Sequence, residues 1–303
     1  MLIKYTMTIA KELETYVIPT EFEYIKPKSL NEALMFLTQH KNVKVLAGGT
    51  DIVLGLKTGK AECEYLLDLK ALNELSFIKE ESNAISIGAI TTVDELLQSA
   101  IIKTKFKALY QAAKDFGSPA VRNMATIGGN ICNASPAADL VVALLALDAK
   151  LKLISKSGER TIPISEFFTG PGTTVLRNDE LLSEVNIPYL PDGAKSVFSN
   201  IKRTSISAST VNLAIALDMD KDERIKLARI ALGAVAPTPL RIYDAEKYLT
   251  GKILSDQAIL DTSKIVKDNV KPITDVRGTA EYRRHASGAL VELALKKIKR
   301  GEI

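Results

Sequence analysis

Two segments of this sequence contain residues whose types and spacing could do chemistry. Each combines two adjacent glycines with a hydroxyl side chain. The first is Leu46-Ala-Gly-Gly-Thr-Asp51 and the second is Thr126-Ile-Gly-Gly-Asn130. Adjacent glycines allow the backbone to reach positive φ and to approach a ligand without an intervening Cβ atom. Successive N–H groups in such a turn form a concave anion site, to which Thr50 and Thr126 add hydroxyl donors. The pair of segments predicts a diphosphate site, although a plain tight turn is an alternative for either segment alone.

Other well-known site patterns are missing from the sequence. Neither segment has the GxGxxG spacing of a Rossmann dinucleotide site or the GxxxxGK[ST] spacing of a P-loop. Lys57 follows the first segment, but the glycines before it do not have the P-loop spacing. Cys63 and Cys132 are the only cysteines, whereas a Cys-ligated iron–sulfur cluster needs about four. No motif for a nucleophile, an acid–base pair or a metal site is present. We therefore expect no catalytic residue and no metal ligand in this chain.

Composition and charge narrow the class of protein. The 40 Lys+Arg residues against 36 Asp+Glu residues give a net charge of only +4, which is too small to predict nucleic-acid binding. The longest apolar run, residues 140–147, is far shorter than the roughly 18 residues of a membrane span. Charged residues at Lys4, Lys11, Glu12 and Glu14 interrupt any signal-like stretch. Two isolated cysteines form no disulfide framework, so we expect a cytoplasmic protein without a membrane span.

The elements that position the two segments follow from the hydrophobic spacing. Ser29 predicts the N-cap of a helix, and Thr92 with Glu95 predicts a capping box. Both glycine segments are expected to form turns. Helices are expected over residues 29–39, 92–99 and 106–116, from about residue 136, and over most of 245–299. Strands are expected over residues 43–47, 65–68, 84–88 (half-buried, from its alternation), 150–154, 161–164, 210–219 and 225–235.

The chain length and one proline-rich segment predict the domain organisation. A length of 303 residues predicts about two domains. Two prolines and a glycine between Pro188 and Gly193 mark the predicted boundary. We expect an α+β fold in which residues 1–190 form the first domain, with subdomains of about 1–72 and 73–190. Residues 191–303 form the second domain, with neighbouring strands followed by helices.

The sequence around the two glycine segments resembles that of a known family. VLAGGTDIVLGLK, followed further along by ATIGGNICNASPAADL, is similar to the FAD subunits of the xanthine dehydrogenase and carbon monoxide dehydrogenase family of molybdenum hydroxylases. The likeness runs from about Phe22 onward and includes residues 181–188, 233–239 and 282–284. It implies a two-subdomain FAD-binding domain of the PCMH type, followed by a smaller C-terminal domain with an antiparallel sheet and helices.

The resemblance also implies which residues contact FAD. The first segment corresponds to residues that hold the diphosphate, and the second to residues that reach the diphosphate and the ribityl chain. Phe116 matches an aromatic residue near the isoalloxazine ring, Asp139 a carboxylate of the flavin region, and Leu181 a hydrophobic contact. From the residues alone, Asp139 could equally begin its helix, and Phe116 and Leu181 could be core residues. The implied FAD contacts are Val45, Leu46, Ala47, Gly48, Gly49, Thr50, Asp51, Ile52, Phe116, Thr126, Ile127, Gly128, Gly129, Asn130, Asp139, Leu181 and Lys202.

Lys202 departs from the family pattern. Family members often have a lysine one or two positions after the aromatic residue that corresponds to Phe198. This chain has Ser199 and Asn200 there, and its nearest basic residues are Lys202 and Arg203. The resemblance therefore implies a role for Lys202 only by proximity.

The function implied by the resemblance is electron transfer. A molybdopterin-binding large subunit would hydroxylate the substrate, and a [2Fe-2S] small subunit would pass electrons to FAD in this chain and then to a soluble acceptor. We expect noncovalent FAD, since His40 and His285 lie in neither glycine segment. Two alternatives are a freestanding flavin oxidoreductase with its own organic substrate and a nucleotide-binding assembly module that has lost flavin. The hydroxylated substrate and the electron acceptor are left open.

Overall fold

The computed structural model describes residues 18–303, and the first of its sheets is parallel. Its elements are β1 Glu23–Ile25, α1 Leu30–Gln39, β2 Val43–Leu46, α2 Ile52–Lys57 and β3 Tyr65–Asp68. The strands lie in the order β1-β3-β2. Leu34 and Leu37 of α1 pack with Leu67 of β3 in one small core. Strand β2 ends at Leu46, the first residue of the first glycine segment, so this sheet positions that segment.

A five-stranded antiparallel sheet follows. Its part of the chain contains β4 Ile78–Glu80, β5 Ala84–Gly88, α3 Val93–Gln98, α4 Ala100–Lys105, α5 Lys107–Lys114, α6 Pro119–Arg122, α7 Ile127–Cys132, α8 Asp139–Ala146, β6 Lys150–Ser155, β7 Gly158–Pro163, β8 Phe168–Gly170, β9 Thr173–Thr174 and β10 Leu181–Pro188. The strand order is β4-β5-β10-β6-β7, and β8 pairs only with β9. The six helices lie between β5 and β6 in the chain, and they carry the second glycine segment.

The last part of the chain combines an antiparallel sheet with three helices. Its elements are β11 Lys195–Ile201, β12 Val211–Met219, β13 Ile225–Gly233, β14 Leu240–Arg241, α9 Tyr243–Leu249, α10 Asp256–Asn269 and α11 Ala280–Lys299. The four strands lie in chain order. Every residue of α8 is buried, and Ala214 of β12 and Ala231 of β13 belong to the same core. A helix that is apolar on all faces requires such enclosure, so α8 joins this sheet to the preceding part of the chain.

Several local predictions are confirmed. The hydroxyl of Ser29 accepts a hydrogen bond from the Glu32 N–H at 3.2 Å and caps α1. Thr92 and Glu95 form the capping box of α3. The α+β fold class, with its antiparallel C-terminal sheet and helices, is also confirmed. The domain boundaries near residues 72 and 190 stay predictions.

Three local predictions are wrong. Strand β5 is buried along its whole length rather than half-buried, because it lies between β4 and β10 with side chains packed on both faces. The segment from Thr126 to Asn130 is not a turn, because Ile127–Cys132 forms the helix α7. The helix expected from about residue 136 begins only at Asp139, because a turn closed by the Ala138 N–H and the Ser135 carbonyl precedes it.

Within residues 18–303, no helix is both long and apolar enough to cross a membrane. The charged residues Lys4, Lys11, Glu12 and Glu14, which counted against a signal peptide, lie outside the described residues.

Candidate functional site

A cleft of about 560 Å³ separates the first glycine segment from the N-terminus of α7. Its other walls include Ala89 and Ile90, which follow β5, and Leu181 and Leu182 of β10. The cleft is therefore built from both the parallel and the antiparallel sheet. The FAD contacts expected from the sequence that line this cleft are Val45, Ala47, Gly48, Gly49, Thr50, Asp51, Ile52, Phe116, Thr126, Gly128, Gly129, Asn130 and Leu181. Leu46, Ile127, Asp139 and Lys202 do not line it.

The first glycine segment keeps its backbone donors free. Among the hydrogen bonds of residues 18–303, none uses the N–H group of Gly48, Gly49, Thr50 or Asp51. The carbonyls of Gly49 and Asp51, by contrast, accept hydrogen bonds from Val53 and Gly55 at 3.2 and 2.9 Å. Gly49 has φ +79°, a conformation that glycine adopts without steric cost. A run of unpaired N–H groups at a cleft wall is a binding site for an anion such as a diphosphate.

The backbone N–H groups of the second segment donate hydrogen bonds within the protein itself. The N–H groups of Ile127 and Gly128 donate to the carbonyls of Thr91 and Ala89 at 3.0 and 2.8 Å. Those of Gly129 and Asn130 donate to the side chain and the carbonyl of Thr126, both at 3.0 Å. Neither glycine of this segment has positive φ. Capping and packing of α7 therefore use these N–H groups, and the diphosphate contacts expected of this segment stay a prediction.

Gly128 has a steric role instead. A Cβ atom at this position would lie 2.5 Å from the carbonyl oxygen and 2.8 Å from the Cβ atom of Ala89. Both distances are shorter than contacts that real Cβ atoms make. The glycine therefore allows α7 to pack directly on the chain that follows β5, and this contact shapes the cleft.

Comparison with known proteins decides which family this fold and cleft represent. A family model described as the FAD binding domain in molybdopterin dehydrogenase matches residues 20–190. A second, described as the CO dehydrogenase flavoprotein C-terminal domain, matches residues 196–298. The chain belongs to the family of FAD-binding subunits of molybdenum hydroxylases.

Individual relatives agree with this assignment. The glyceraldehyde dehydrogenase medium chain of Sulfolobus acidocaldarius is 37% identical over 280 residues, which is 92% of this chain and 99% of that one. The carbon monoxide dehydrogenase medium chain of Hydrogenophaga pseudoflava is 33% identical over 280 residues, 92% of this chain and 97% of that one. A structure of carbon monoxide dehydrogenase from H. pseudoflava that lacks the Mo-pyranopterin moiety superimposes with a TM-score of 0.90. Its sequence is 34% identical, and the match covers 92% of this chain and 98% of that one.

The side chains of this FAD-binding subunit fit a dinucleotide in the cleft. The Oδ1 atom of Asn130 is buried and has no hydrogen-bond partner within residues 18–303. A buried acceptor of this kind is costly unless a ligand supplies a donor, and a sugar or ribityl hydroxyl is such a donor. Lys44 and Lys60 also line the cleft and bring positive charge to the side that carries the free N–H groups. Partial loss of solvent at the cleft raises the pKa of the Asp51 carboxyl group.

Cys132 lines the cleft of the FAD-binding subunit, where burial disfavours its thiolate form. Burial of its sulfur raises the pKa of the thiol to about 12. Nucleophilic and redox chemistry of cysteine requires the thiolate, which such a thiol does not form at neutral pH. Cys132 therefore acts as a packing residue of the cleft wall.

Asp139 and Lys202 pair with each other and do not line the cleft. The Nζ atom of Lys202 lies 3.2 Å from Oδ2 of Asp139, and both side chains are buried. The other carboxylate oxygen of Asp139 accepts hydrogen bonds from Ser209 Oγ at 2.6 Å and Asn212 Nδ2 at 2.5 Å. Asp139 is also the first residue of α8, as the simpler interpretation expected. Leu46 and Ile127 are buried in hydrophobic cores on either side of the cleft.

Some cleft residues could not be recognised from the sequence. Ala89 and Ile90 carry no motif, and only the tertiary fold brings them to α7. Gly172, with φ +71°, and Leu176 come from the region of the β8–β9 hairpin, which the sequence analysis had not assigned. Asn133 and Cys132 adjoin the second glycine segment, so their proximity to it was the one available signal. The further residues that line the cleft are Lys44, Gly55, Lys60, Ala61, Leu69, Ala125 and Leu182.

Proposed function

We propose that this subunit binds FAD noncovalently in the cleft, with the diphosphate on the first glycine segment and the flavin ring on the side of Phe116. The observation that carries the proposal is the set of free N–H groups from Gly48 to Asp51 in a wall of the cleft. We expect the diphosphate at the first glycine segment rather than at α7, since the N–H groups from Ile127 to Asn130 all donate within the protein. The unpaired Asn130 Oδ1 then accepts a hydrogen bond from a hydroxyl group of the same ligand.

The chain is the FAD-carrying subunit of an oxidoreductase of the molybdenum hydroxylase type. The chemistry supplied by bound FAD is the exchange of electrons between iron–sulfur clusters of a partner subunit and an acceptor. The residues of this chain bind and orient the cofactor and shield it from water. Its partners are a molybdopterin-binding large subunit and a [2Fe-2S] small subunit. Residues 18–303 contain no group of three or more His, Cys, Asp or Glu side chains that could hold a metal ion.

The location of the protein and its final electron acceptor belong to the same proposal. We place the complex in the cytoplasm, where thiols stay reduced, because Cys63 and Cys132 are both free. The acceptor is soluble, and the relatives leave its identity open. The relatives include subunits of glyceraldehyde, carbon monoxide and nicotinate dehydrogenases, so the substrate differs between relatives.

The test uses the purified full chain without its partners. It should bind FAD and be yellow, yet it should not oxidise xanthine, nicotinate or aldehydes in the absence of the molybdenum subunit. A reduced nicotinamide with an artificial dye should still be turned over slowly, because the flavin remains redox-active. Robust oxidation of any of the organic substrates by the single chain would contradict the relay function and favour a freestanding flavin oxidoreductase. A chain that binds no FAD would favour the assembly module.

A further inference from the structure

The lining of the FAD-binding cleft includes three charged side chains, and two of them are lysines. Among the described residues that line it, the charged ones are Lys44, Lys60 and Asp51. Within residues 18–303, none of the three takes part in an ion pair. Both lysines are exposed to solvent. Their ammonium groups are therefore not neutralised by a carboxylate of the described chain and remain available to a ligand of the cleft.

Lys44 reaches the cleft from an edge strand. Strand β2 pairs only with β3, and its exposed residues Lys44 and Val45 both line the cleft. The charge of Lys44 already acts on a neighbouring group of the protein. Burial raises the pKa of the Cys63 thiol, and the positive charge of Lys44 opposes this shift. Solvent therefore does not remove the field of Lys44, and an anion in the adjoining cleft would be stabilised by it.

Lys60 reaches the same cleft from the turn after α2. The N–H groups of Lys60 and Ala61 donate to the carbonyl of Gly55 at 2.9 and 3.1 Å. A Cβ atom at Gly55 would lie 3.1 Å from the Cβ atom of Ala61, so the glycine lets this turn pack closely on α2. The backbone that carries Lys60 therefore has a fixed position relative to α2, which begins directly after the first glycine segment.

The charges in the cleft favour a ligand that is itself anionic. The free N–H groups from Gly48 to Asp51 contribute partial positive charges, whereas the Asp51 carboxylate lies in the same wall and would repel a diphosphate. Lys44 and Lys60 together outweigh that single carboxylate. A cleft lined by an excess of one sign of charge concentrates its field on a ligand of the opposite sign. Without the two lysines, the side-chain charge that remains in this lining would be negative.

We propose that Lys44 and Lys60 are specificity-determining residues that neutralise the phosphate groups of the flavin cofactor, so that the cleft selects a phosphorylated flavin over riboflavin. The proposal rests on the proposed function, because it assumes that FAD occupies this cleft. The N–H groups from Gly48 to Asp51 bind the diphosphate through hydrogen bonds of defined direction. The two lysines act through their charge, which a flexible side chain delivers without a single fixed geometry.

The experiment measures the affinity of the FAD-free full chain for FAD and for riboflavin by flavin fluorescence, at low and at high salt. Lys44→Met and Lys60→Met should each weaken FAD binding by about fivefold at low salt, which is the effect of the stronger exposed ion pairs. The double variant should weaken it further. Lys44→Arg and Lys60→Arg should retain the affinity, because they keep the positive charge.

Lys41→Met and Lys57→Met are the matched controls. Each removes an exposed positive charge from the same part of the chain at a position that does not line the cleft, so both should bind FAD like the unmodified chain. Riboflavin has no phosphate group and should bind the Lys44 and Lys60 variants as it binds the unmodified chain. At about 1 M salt, charges are screened beyond roughly 3 Å. The difference in FAD affinity between these variants and the unmodified chain should therefore largely disappear.

The outcomes distinguish this proposal from the proposed function. Unchanged FAD affinity in Lys44→Met and Lys60→Met would overturn the role of the lysines while leaving the FAD site intact. Equal losses for FAD and riboflavin, or a loss that the arginine variants share, would also overturn it, because such losses reflect shape rather than charge. Riboflavin that binds the unmodified chain as tightly as FAD would contradict the selection. An unmodified chain that binds no FAD would instead contradict the proposed function.

Discussion

Gly48 lies so close to Met124 that a Cβ atom on the glycine would overlap the carbonyl oxygen of Met124 and come within 3.0 Å of Ala125 Cα. Gly48 belongs to the first glycine segment, whereas Met124 and Ala125 precede the second. The two halves of the cleft are therefore joined by direct backbone contact. The glycine at position 48 is required by this contact as well as by any ligand.

Gly48→Ala is expected to lower the free energy of unfolding by about 3 kcal/mol, because backbone atoms cannot move aside as a flexible side chain would. Gly49→Ala should cost less, about 1–2 kcal/mol, because its Cβ meets only side chains and the cost comes mainly from its φ of +79°. Thermal unfolding of the two variants without FAD provides the measurement. Equal stability of Gly48→Ala and the unmodified chain would show that the two segments are not in contact.

The free N–H groups of the first segment make a prediction that needs no mutation. Inorganic pyrophosphate should raise the thermal midpoint of the FAD-free chain and compete with FAD, because it fills the donors from Gly48 to Asp51. A ligand at about one hundred times its Kd stabilises the folded state by about 2.7 kcal/mol. Adenosine, which has no phosphate group, is the control and should compete much less. If adenosine protects the chain and pyrophosphate does not, the diphosphate has been placed at the wrong end of the cleft.

Glu180 makes the stability of the protein beside the cleft depend on pH. Its carboxylate is buried, and Arg160 donates two hydrogen bonds to it, at 2.7 and 2.8 Å. Arg177 adds donors from its backbone and its side chain, both at 2.9 Å. The hydrogen bonds of Arg160, followed by those of Arg177, lower the pKa of Glu180 to about 2. Leu181, the next residue, lines the cleft.

Because this pKa is lowered on folding, the stabilisation is present above the ordinary glutamate pKa of about 4.3 and is lost as pH falls toward about 2. Glu180→Gln should therefore cost about 2 kcal/mol at pH 7, less than a fully buried pair because both arginines are partly exposed. The difference from the unmodified chain should shrink below pH 4. Glu292→Gln, which breaks a more exposed pair with Lys296, is the control and should cost under about 1 kcal/mol. A pH-independent difference for Glu180→Gln would contradict the ion-pair explanation.

The features that the sequence predicted well are local ones. Ser29 and the Thr92–Glu95 pair cap their helices through groups three residues apart, so neighbouring residue types were sufficient to predict them. The turn expected at the second glycine segment was wrong for a non-local reason. The N–H groups of Ile127 and Gly128 pair with Thr91 and Ala89, which a sequence pattern does not connect to this segment.

The same limit applies to the site residues. The glycine segments were recognised by their types, and the structure brings both to one cleft. Asp139 and Lys202 were named through the family resemblance, yet their side chains pair with each other and do not line that cleft. The direction in which these two side chains point depends on how α8 packs against β12. Residue types and spacing in the sequence do not predict that packing.

We predict that the flavin is not covalently linked, because of where the candidate attachment residues lie. His40 ends α1 and stacks on Phe36 at 3.9 Å, and His285 is exposed on α11; neither lines the cleft. Cys132 does line it, but its thiol stays protonated at neutral pH because burial raises its pKa to about 12. A protonated thiol is a poor nucleophile toward the flavin.

Acid precipitation of the FAD-loaded chain should therefore release all of the flavin into the supernatant, which absorption of the two fractions measures. Cys132→Ser should bind FAD nearly as well as the unmodified chain, since the sulfur only packs against the cleft wall. Yellow colour that stays with the precipitate of the unmodified chain but not with that of Cys132→Ser would reveal a thioether link. Colour that stays with both precipitates would direct attention to His40 and His285, and would contradict the position of the cofactor in this cleft.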